Sequence, residues 1–253
     1  MRSSRLGLMT ALLAVLLAAS SPVLLDAQQK KTPPPPVAGV VLDERSIASD
    51  HVEFGFKRPG LSVPSYDFLL WENGTGQYRG EELPMSDGHT DPPPSAQPFV
   101  LMTFTVMPAT VTKIYALARS LNHFNVACAS NAKNVADTGM KTLEYIHPGM
   151  DRFVGFCTYN YTENKDLQTL TDIFEGIAAT LDEGRKLDYL HRYDRLGLDA
   201  EMESFTREVS DGHAIELQVI VDTLRSLADD PEVMQRVRTR ANALLTLVPA
   251  QTR

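Results

Sequence analysis

The sequence is poor in the residues and motifs that build several common active sites. It has two cysteines and six histidines among 253 residues, and they do not follow the spacing of zinc ligands. It contains no His-Glu-x-x-His motif, no P-loop and no Gly-x-Gly-x-x-Gly fingerprint. A Gly-x-Ser-x-Gly nucleophile elbow is also missing. These absences exclude the enzyme classes defined by those motifs, and the sequence predicts no cofactor and no catalytic residue.

Positive charge is scarce too. Lysine and arginine number 24 against 32 aspartates and glutamates, which gives a formal net charge of -8. An acidic chain repels the phosphate backbone, and no basic stripe with interleaved aromatic residues offsets this repulsion. Nucleic acid is therefore not expected as a partner.

Long apolar runs are missing except at the N-terminus. Arg2 and Arg5 flank the start of an apolar run from Leu6 to Leu17, and small residues follow it. This layout predicts a signal peptide over residues 1–27, cleaved after Ala27, and hence a secreted or periplasmic protein. The alternative is an uncleaved membrane anchor. No later stretch is apolar enough to span a membrane.

The two cysteines, Cys128 and Cys157, both lie beyond the predicted cleavage site. In an oxidising compartment an even pair predicts a disulfide bond. The alternative is a pair of buried free thiols.

Composition and periodicity divide the rest of the chain into three parts. Residues 28–45 contain four consecutive prolines, which favour an extended spacer or a disordered tail. Residues 46–186 contain strand-like runs, among them "HVEFGFK", "FVLMTFTV", "FNVACA" and "KTLEYI", and an Asn-Gly turn in "LLWENGTGQY" that predicts a hairpin with two positive-φ residues. Residues 187–253 have apolar spacing that predicts a helical segment.

Helical periodicity dominates after Asn164. The apolar spacing predicts one helix ending near Leu181, a second over Leu187 to Leu196, and three more, the last capped by Asp230. Strands followed by helices are typical of an α+β fold. We therefore expect an antiparallel sheet with packed helices, followed by a C-terminal all-helical segment.

Four stretches resemble a known family. "SYDFLLWENGTGQYRGEE", "VTKIYALARSL", "VADTGMKTLEY" and "YNYTENKDLQTL" are similar to an uncharacterised domain family of secreted bacterial proteins. The resemblance covers about residues 52–190 and rests on turn glycines and apolar stripes. It implies a secreted α+β fold, and it carries no activity and no catalytic residues.

Two acidic and histidine-containing stretches are candidate metal sites. Asp87, His89 and Asp91 alternate in the proline-rich loop 81–98, although aspartate and glycine also build loops without a ligand. Asp188, His191 and Asp194 stand three residues apart and can share a helix face. The alternative is a solvated helix face, with Leu187, Leu190, Tyr193 and Leu196 forming the core stripe behind it.

Three residues form a candidate binding surface: Trp71, Tyr78 and His89. The two aromatic residues flank the Asn-Gly turn, where they either stack on a sugar or peptide or pack across the strands. Ser130 and Lys133 have the Ser-x-x-Lys spacing of penicillin-recognising enzymes, but the other motifs of those enzymes are missing. The sequence therefore favours a non-catalytic envelope protein that binds a protein or an envelope polymer. The alternative is an envelope hydrolase, either without a metal ion or with one held by one of the two acidic sets.

Overall fold

The computed structural model describes residues 49–81, 99–148 and 155–249. The predicted signal peptide and linker, and the candidate metal ligands Asp87, His89 and Asp91, lie outside the described residues.

Among the described residues, six antiparallel strands form one sheet in the order β4-β3-β2-β1-β5-β6. The strands are β1 (His51–Lys57), β2 (Ser65–Trp71), β3 (Thr75–Glu81), β4 (Phe99–Thr105), β5 (Met140–Ile146) and β6 (Gly155–Tyr159). Buried and more exposed residues alternate along most strands, because successive side chains point to opposite faces of a sheet. One face of the sheet is therefore packed, and the other is open among the described residues.

Five helices follow the described strands or connect them. They are α1 (Pro108–Ser120), α2 (Lys165–Tyr193), α3 (Gly197–Ser210), α4 (Val221–Asp229) and α5 (Gln235–Leu247), with 3₁₀ turns at Asn122–Phe124 and Leu217–Ile220. The prediction of an α+β fold with a C-terminal helical segment is confirmed. Among the described residues, none of the helices combines the length and the apolar character that a membrane span requires.

Aromatic rings fill the core between the sheet and helices α1 and α2. Phe174 of α2 stacks on Phe54 of β1 with ring centroids 4.8 Å apart, and it also contacts Phe68 of β2. All three rings are completely or almost completely buried. Stacked and tilted pairs of this kind add to the free energy gained from apolar burial.

Helix α2 is longer than the apolar spacing predicts. It runs without a break over 29 residues, where the sequence favours two helices, and the expected domain boundary between residues 186 and 187 lies inside it. The charged residues Glu183 and Lys186 interrupt the apolar stripe but not the backbone. Between them Gly184 lets Ile220 approach so closely that an added Cβ would lie 2.2 Å from its side chain.

The Glu216 carboxylate connects the C-terminal helical segment, which we call the helical tail, to α1. The Met107 backbone N–H donates a hydrogen bond to Glu216 Oε2 over 2.7 Å, and Thr110 Oγ1 donates to the other oxygen. Glu216 thus satisfies a backbone donor at the start of α1, where a helix lacks internal acceptors. The Gln218 side chain also donates to the Thr105 carbonyl at the end of β4 over 3.3 Å.

Three local predictions are wrong in detail. In the β2–β3 hairpin only Gly74, not Asn73, has a positive φ, so the turn is a longer one ending in a left-handed glycine. "FNVACA" forms a 3₁₀ turn and irregular chain rather than a strand. Asp230 caps a turn instead of a helix, because its side chain accepts from the Glu232 N–H and α5 begins only at Gln235.

The predicted disulfide is confirmed. Cys128 and Cys157 are bonded, with their Cα atoms 5.8 Å apart. The bond joins the irregular segment after α1 to edge strand β6, and both cysteines are buried.

Replacing Phe174 by alanine should lower the free energy of unfolding by about 3–5 kcal/mol, because the change leaves a cavity in the aromatic core. Chemical denaturation of the oxidised protein measures this loss. Phe156→Ala is the matched control, since that ring is 49% exposed on the open face. Equal losses in the two variants would contradict the assignment of the core.

Candidate functional site

The two aromatic candidates for surface binding are buried. Tyr78 is completely buried and Trp71 is 4% exposed. Tyr78 packs against Phe68 with ring centroids 5.0 Å apart, which is the cross-strand packing considered as the alternative. Neither ring is presented to solvent, so neither can stack on a ligand at the surface of this conformation.

The hydroxyl of Tyr78 belongs to a polar cluster between strand β3 and helix α2. It donates to the Asp182 carboxylate, with both oxygens 2.9 Å away, and Arg185 Nη1 lies 2.9 Å from the same carboxylate. We call Tyr78, Asp182 and Arg185 the tyrosine–carboxylate cluster. Burial raises the pKa of Asp182 to about 6, and the hydrogen bond from Tyr78 opposes that rise.

A second buried polar group is Lys141 of β5. Lys141 Nζ donates to the carbonyl and the hydroxyl of Thr138 over 2.8 Å, and to the Asn160 carbonyl over 3.3 Å. Burial lowers the pKa of Lys141, and the nearby Glu175 carboxylate opposes this effect. All three N–H bonds of the ammonium have acceptors, so Lys141 is a satisfied structural group rather than a free base.

The three acidic and histidine residues predicted on one helix face have separate partners. Asp188 pairs with Arg192 at 2.5 Å, His191 Nε2 lies 2.8 Å from Asp230, and Asp194 accepts from the Gly197 N–H. Among the described residues, no group of three or more His, Cys, Asp or Glu side chains is arranged to hold a metal ion. The structure therefore does not bring Asp188, His191 and Asp194 together as a metal site. Asp188 and Asp194 are solvated, as the alternative interpretation expects, whereas the His191 side chain is only 14% exposed.

The apolar stripe expected behind those residues ends early. Leu187 is buried and Leu190 is half-buried, but Tyr193 is 72% and Leu196 is 85% exposed. The helix ends at Tyr193, where the chain turns into α3. The last two members of the stripe therefore extend beyond the packed part of the tail.

The open face of the sheet is a mixed apolar and charged surface. Phe99 and Leu101 of β4 are 41% and 38% exposed, and Met140 and Phe156 are also exposed near the opposite edge. Between them, the strand register aligns charged and polar residues: Arg79, Asp67, Glu81, Ser65, Lys57 and Glu53. Arg79 lies over the Phe99 ring at 4.2 Å, a cation–π contact that orders this corner.

Strand β4 is an edge strand with no charged residue and no proline. Its sequence is FVLMTFT, whereas each of the other seven-residue strands contains at least one charged side chain. Only β3 pairs with β4 among the described residues. Natural sheets protect their edges with charges, prolines, bulges, short strands or covering segments. Phe99 to Thr103 carry no charge and no proline, and no second strand pairs with them in the part of the chain that the structure describes.

The opposite edge of the sheet is protected. Strand β6 has five residues, and the disulfide attaches the segment after α1 to it. The Ser130 N–H donates to the Tyr161 carbonyl over 3.0 Å, and the Asn160 amide donates to the Ala136 carbonyl over 3.0 Å. Ser130 thus has a structural role in this edge, and its hydroxyl accepts a hydrogen bond from the Ala132 N–H.

A histidine–carboxylate pair lies at one end of the sheet. His147 Nδ1 and Asp50 Oδ1 are 2.5 Å apart, and the Tyr145 hydroxyl donates to Asp50 Oδ2 over 2.8 Å. The His123 ring meets the Tyr145 ring edge-on at 4.5 Å. Such a pair orients an imidazole so that its Nε2 can accept a proton.

The residues around His123 have an unusual backbone. Asn122, His123 and Phe124 have consecutive φ values of 49°, 54° and 68°. Left-handed conformations cost non-glycine residues about 1–2 kcal/mol each, so the packing of this turn must compensate. Phe124 is completely buried, which provides part of that compensation.

No protein-family model and no curated protein matches this chain. The resemblance to secreted bacterial domains over residues 52–190 therefore stays a prediction.

Sequence reasoning missed Asp182 and Lys141, although a signal for each is present. Asp182 follows the buried Ala178 by one helical turn, and Lys141 alternates with the buried Leu143 and Tyr145. A charged residue at a position whose periodic neighbours are buried is expected to be paired or hydrogen-bonded. This rule would have identified both residues.

Replacing Tyr78 by phenylalanine should destabilise the protein more at high pH than at low pH. The change removes the donor to Asp182 but leaves its burial, so the pKa of Asp182 should rise further above about 6. A carboxyl with a raised folded-state pKa stabilises most below its unfolded pKa, and this contribution falls as the pH rises through the folded value. We expect a loss of about 1–3 kcal/mol at pH 8 and a smaller loss near pH 4.

Denaturation curves across this pH range measure the effect. Tyr161→Phe is the control, because Tyr161 is 38% exposed. A loss for Tyr78→Phe that does not change with pH would show that the hydroxyl does not act on Asp182.

Proposed function

We propose that this chain is a secreted or periplasmic binding protein that takes up an extended polypeptide as an added strand beside β4. The observation that carries the proposal is the uncharged edge of β4, whose outer side has no pairing strand among the described residues. The disulfide supports an oxidising compartment, since such bonds persist mainly outside the cytoplasm.

An exposed strand edge offers a row of backbone donors and acceptors. A peptide that adds to such an edge gains main-chain hydrogen bonds, while neighbouring side chains select its sequence. Each net hydrogen bond contributes about 0.5–1.5 kcal/mol. Several of them, together with apolar side-chain contacts, are needed for measurable affinity.

Side chains on both faces of β4 give the added strand a preferred pattern. On the open face it would lie beside Phe99 and Leu101, and on the other face beside Val100 and Met102, which are half-buried. An uncharged segment rich in β-branched and aromatic residues fits this environment. A highly acidic segment would not, because the chain itself has a net charge of -8.

The length of the site is limited at one end. Gln218 of the tail donates to the Thr105 carbonyl, so the backbone there already has a partner. The free edge therefore covers about five residues, Phe99 to Thr103, which is a usual length for a strand.

Charges introduced on β4 should weaken peptide binding. The test is a Leu101→Lys, Thr103→Lys double variant, with binding measured by the fluorescence anisotropy of a labelled peptide of alternating threonine and valine flanked by lysines. We expect saturable binding to the native protein and at least a tenfold loss in the variant, equivalent to about 1.4 kcal/mol. Thr142→Lys, Thr158→Lys on β5 and β6 is the matched control, and it should bind like the native protein.

Two outcomes would contradict the proposal. One is equal binding by the β4 variant and the control. The other is a native protein that dimerises in sedimentation experiments and becomes monomeric on the β4 change, because a second copy would then occupy the edge.

The histidine–carboxylate pair supports a second candidate function, an envelope hydrolase. With its Nδ1 proton directed at Asp50, His147 would hold Nε2 as a general base, and its side chain is about half exposed. If the pair acts as a unit, His147→Ala and Asp50→Asn should each lower hydrolysis of an activated ester by a similar factor of about 10–100. His213→Ala is the control histidine, and unchanged rates in the first two variants would exclude this function.

A further inference from the structure

Two glutamates face each other where α3 packs on α2. The Glu183 and Glu201 side chains are 17% and 18% exposed. A single lysine serves both: Lys186 Nζ is 2.5 Å from Glu201 and 3.8 Å from Glu183. One positive charge thus faces two carboxyl groups that are largely withdrawn from water.

One oxygen of this pair lacks a donor. Glu183 Oε2 is buried and has no hydrogen-bond partner, although the Glu201 carboxyl lies within hydrogen-bonding reach of Glu183. Two ionised carboxylates offer only acceptors, whereas a protonated carboxyl can donate. A single proton held between the two side chains therefore resolves both the missing donor and the like-charge contact.

The surroundings add little positive charge at the pair itself, because Arg236 and Arg240 of α5 pair with Asp199 and Glu203 of α3 instead. From α3, Glu208 faces Glu183 as a further negative group, and from α2 the facing cation is Lys186. The 3₁₀ turn presents the apolar Ile220 to the neighbouring Gly184, and α4 carries its Asp222–Arg225 pair on the solvent side. Burial, and after it the charge of Glu201, raise the pKa of Glu183 to about 7, and Lys186 opposes the rise.

We propose that Glu183 and Glu201 share one proton and that its release loosens α3 from α2. The folded chain binds this proton more tightly than the unfolded chain. The contact is therefore strongest below the unfolded pKa of glutamate and weakens as the pH rises through about 7. This inference does not depend on the proposed strand-binding function.

Hydrogen exchange of the α3 backbone amides in the full chain tests the proposal. After correction for intrinsic exchange rates, α3 protection should fall by about 10–100-fold between about pH 5 and about pH 8, because each pKa unit corresponds to a factor of ten. Amides of α1, which does not contact the pair, serve as the internal reference.

The Glu183→Gln variant distinguishes the effect of the shared proton on α3 protection from other effects of pH. The glutamine amide donates to Glu201 at every pH, so α3 protection should stay nearly constant and exceed that of the native protein at pH 8. Glu201→Gln should act in the same way, and Glu163→Gln, at an exposed position, should behave like the native protein. A native α3 whose protection does not change with pH, or a Glu183→Gln variant with the native pH dependence, would overturn the proposal. Neither result would bear on peptide uptake at β4.

Discussion

Helix α2 is the element on which the rest of the structure depends, because its buried side chains enter both apolar cores of the described chain. Its first half contributes Phe174 to the aromatic core beneath the sheet, and its second half contributes Leu187 to the core of the tail. A continuous helix of 29 residues is about 43 Å long at 1.5 Å per residue. The helical tail therefore packs on the same helix that covers the sheet.

Local chemistry was sufficient to predict most elements of the fold. Alternating residues in "HVEFGFK" and "KTLEYI" identified β1 and β5, and the Asn164 side chain accepts from the Asp166 and Leu167 N–H groups as a helix cap should. The continuity of α2 was not predictable in this way. It is supported by the close approach of Ile220 to Gly184 and by the ion pair between Lys186 and Glu201 of α3, which are tertiary contacts that override a broken apolar period.

The candidate sites depend even more on tertiary structure. The uncharged composition of β4 is visible in the sequence, but its position at the edge follows from the strand order, which local patterns do not determine. Trp71 and Tyr78 look like binding residues in the sequence because they flank a turn, yet α2 supplies Asp182 to the Tyr78 hydroxyl from more than 100 positions away. The three candidate ligands have separate partners: Asp188 pairs with Arg192 of α2 itself, and His191 contacts Asp230 of a later turn. Asp194 lies beyond the end of α2 and accepts from the Gly197 N–H.

The contacts that hold the helical tail determine whether a change in the packing of α3 alters the free edge of β4. Helix α3 is tethered at both ends, by the end of α2 and by the segment that leads to Glu216 and Gln218. Glu216 has a left-handed φ of 61°, and the hydrogen bonds from Met107 and Thr110 offset the cost of that conformation. A weaker contact between α3 and α2 therefore leaves this anchor in place. Gln218 continues to occupy the Thr105 carbonyl, so the free edge of β4 keeps the same length whether α3 is tightly or loosely packed.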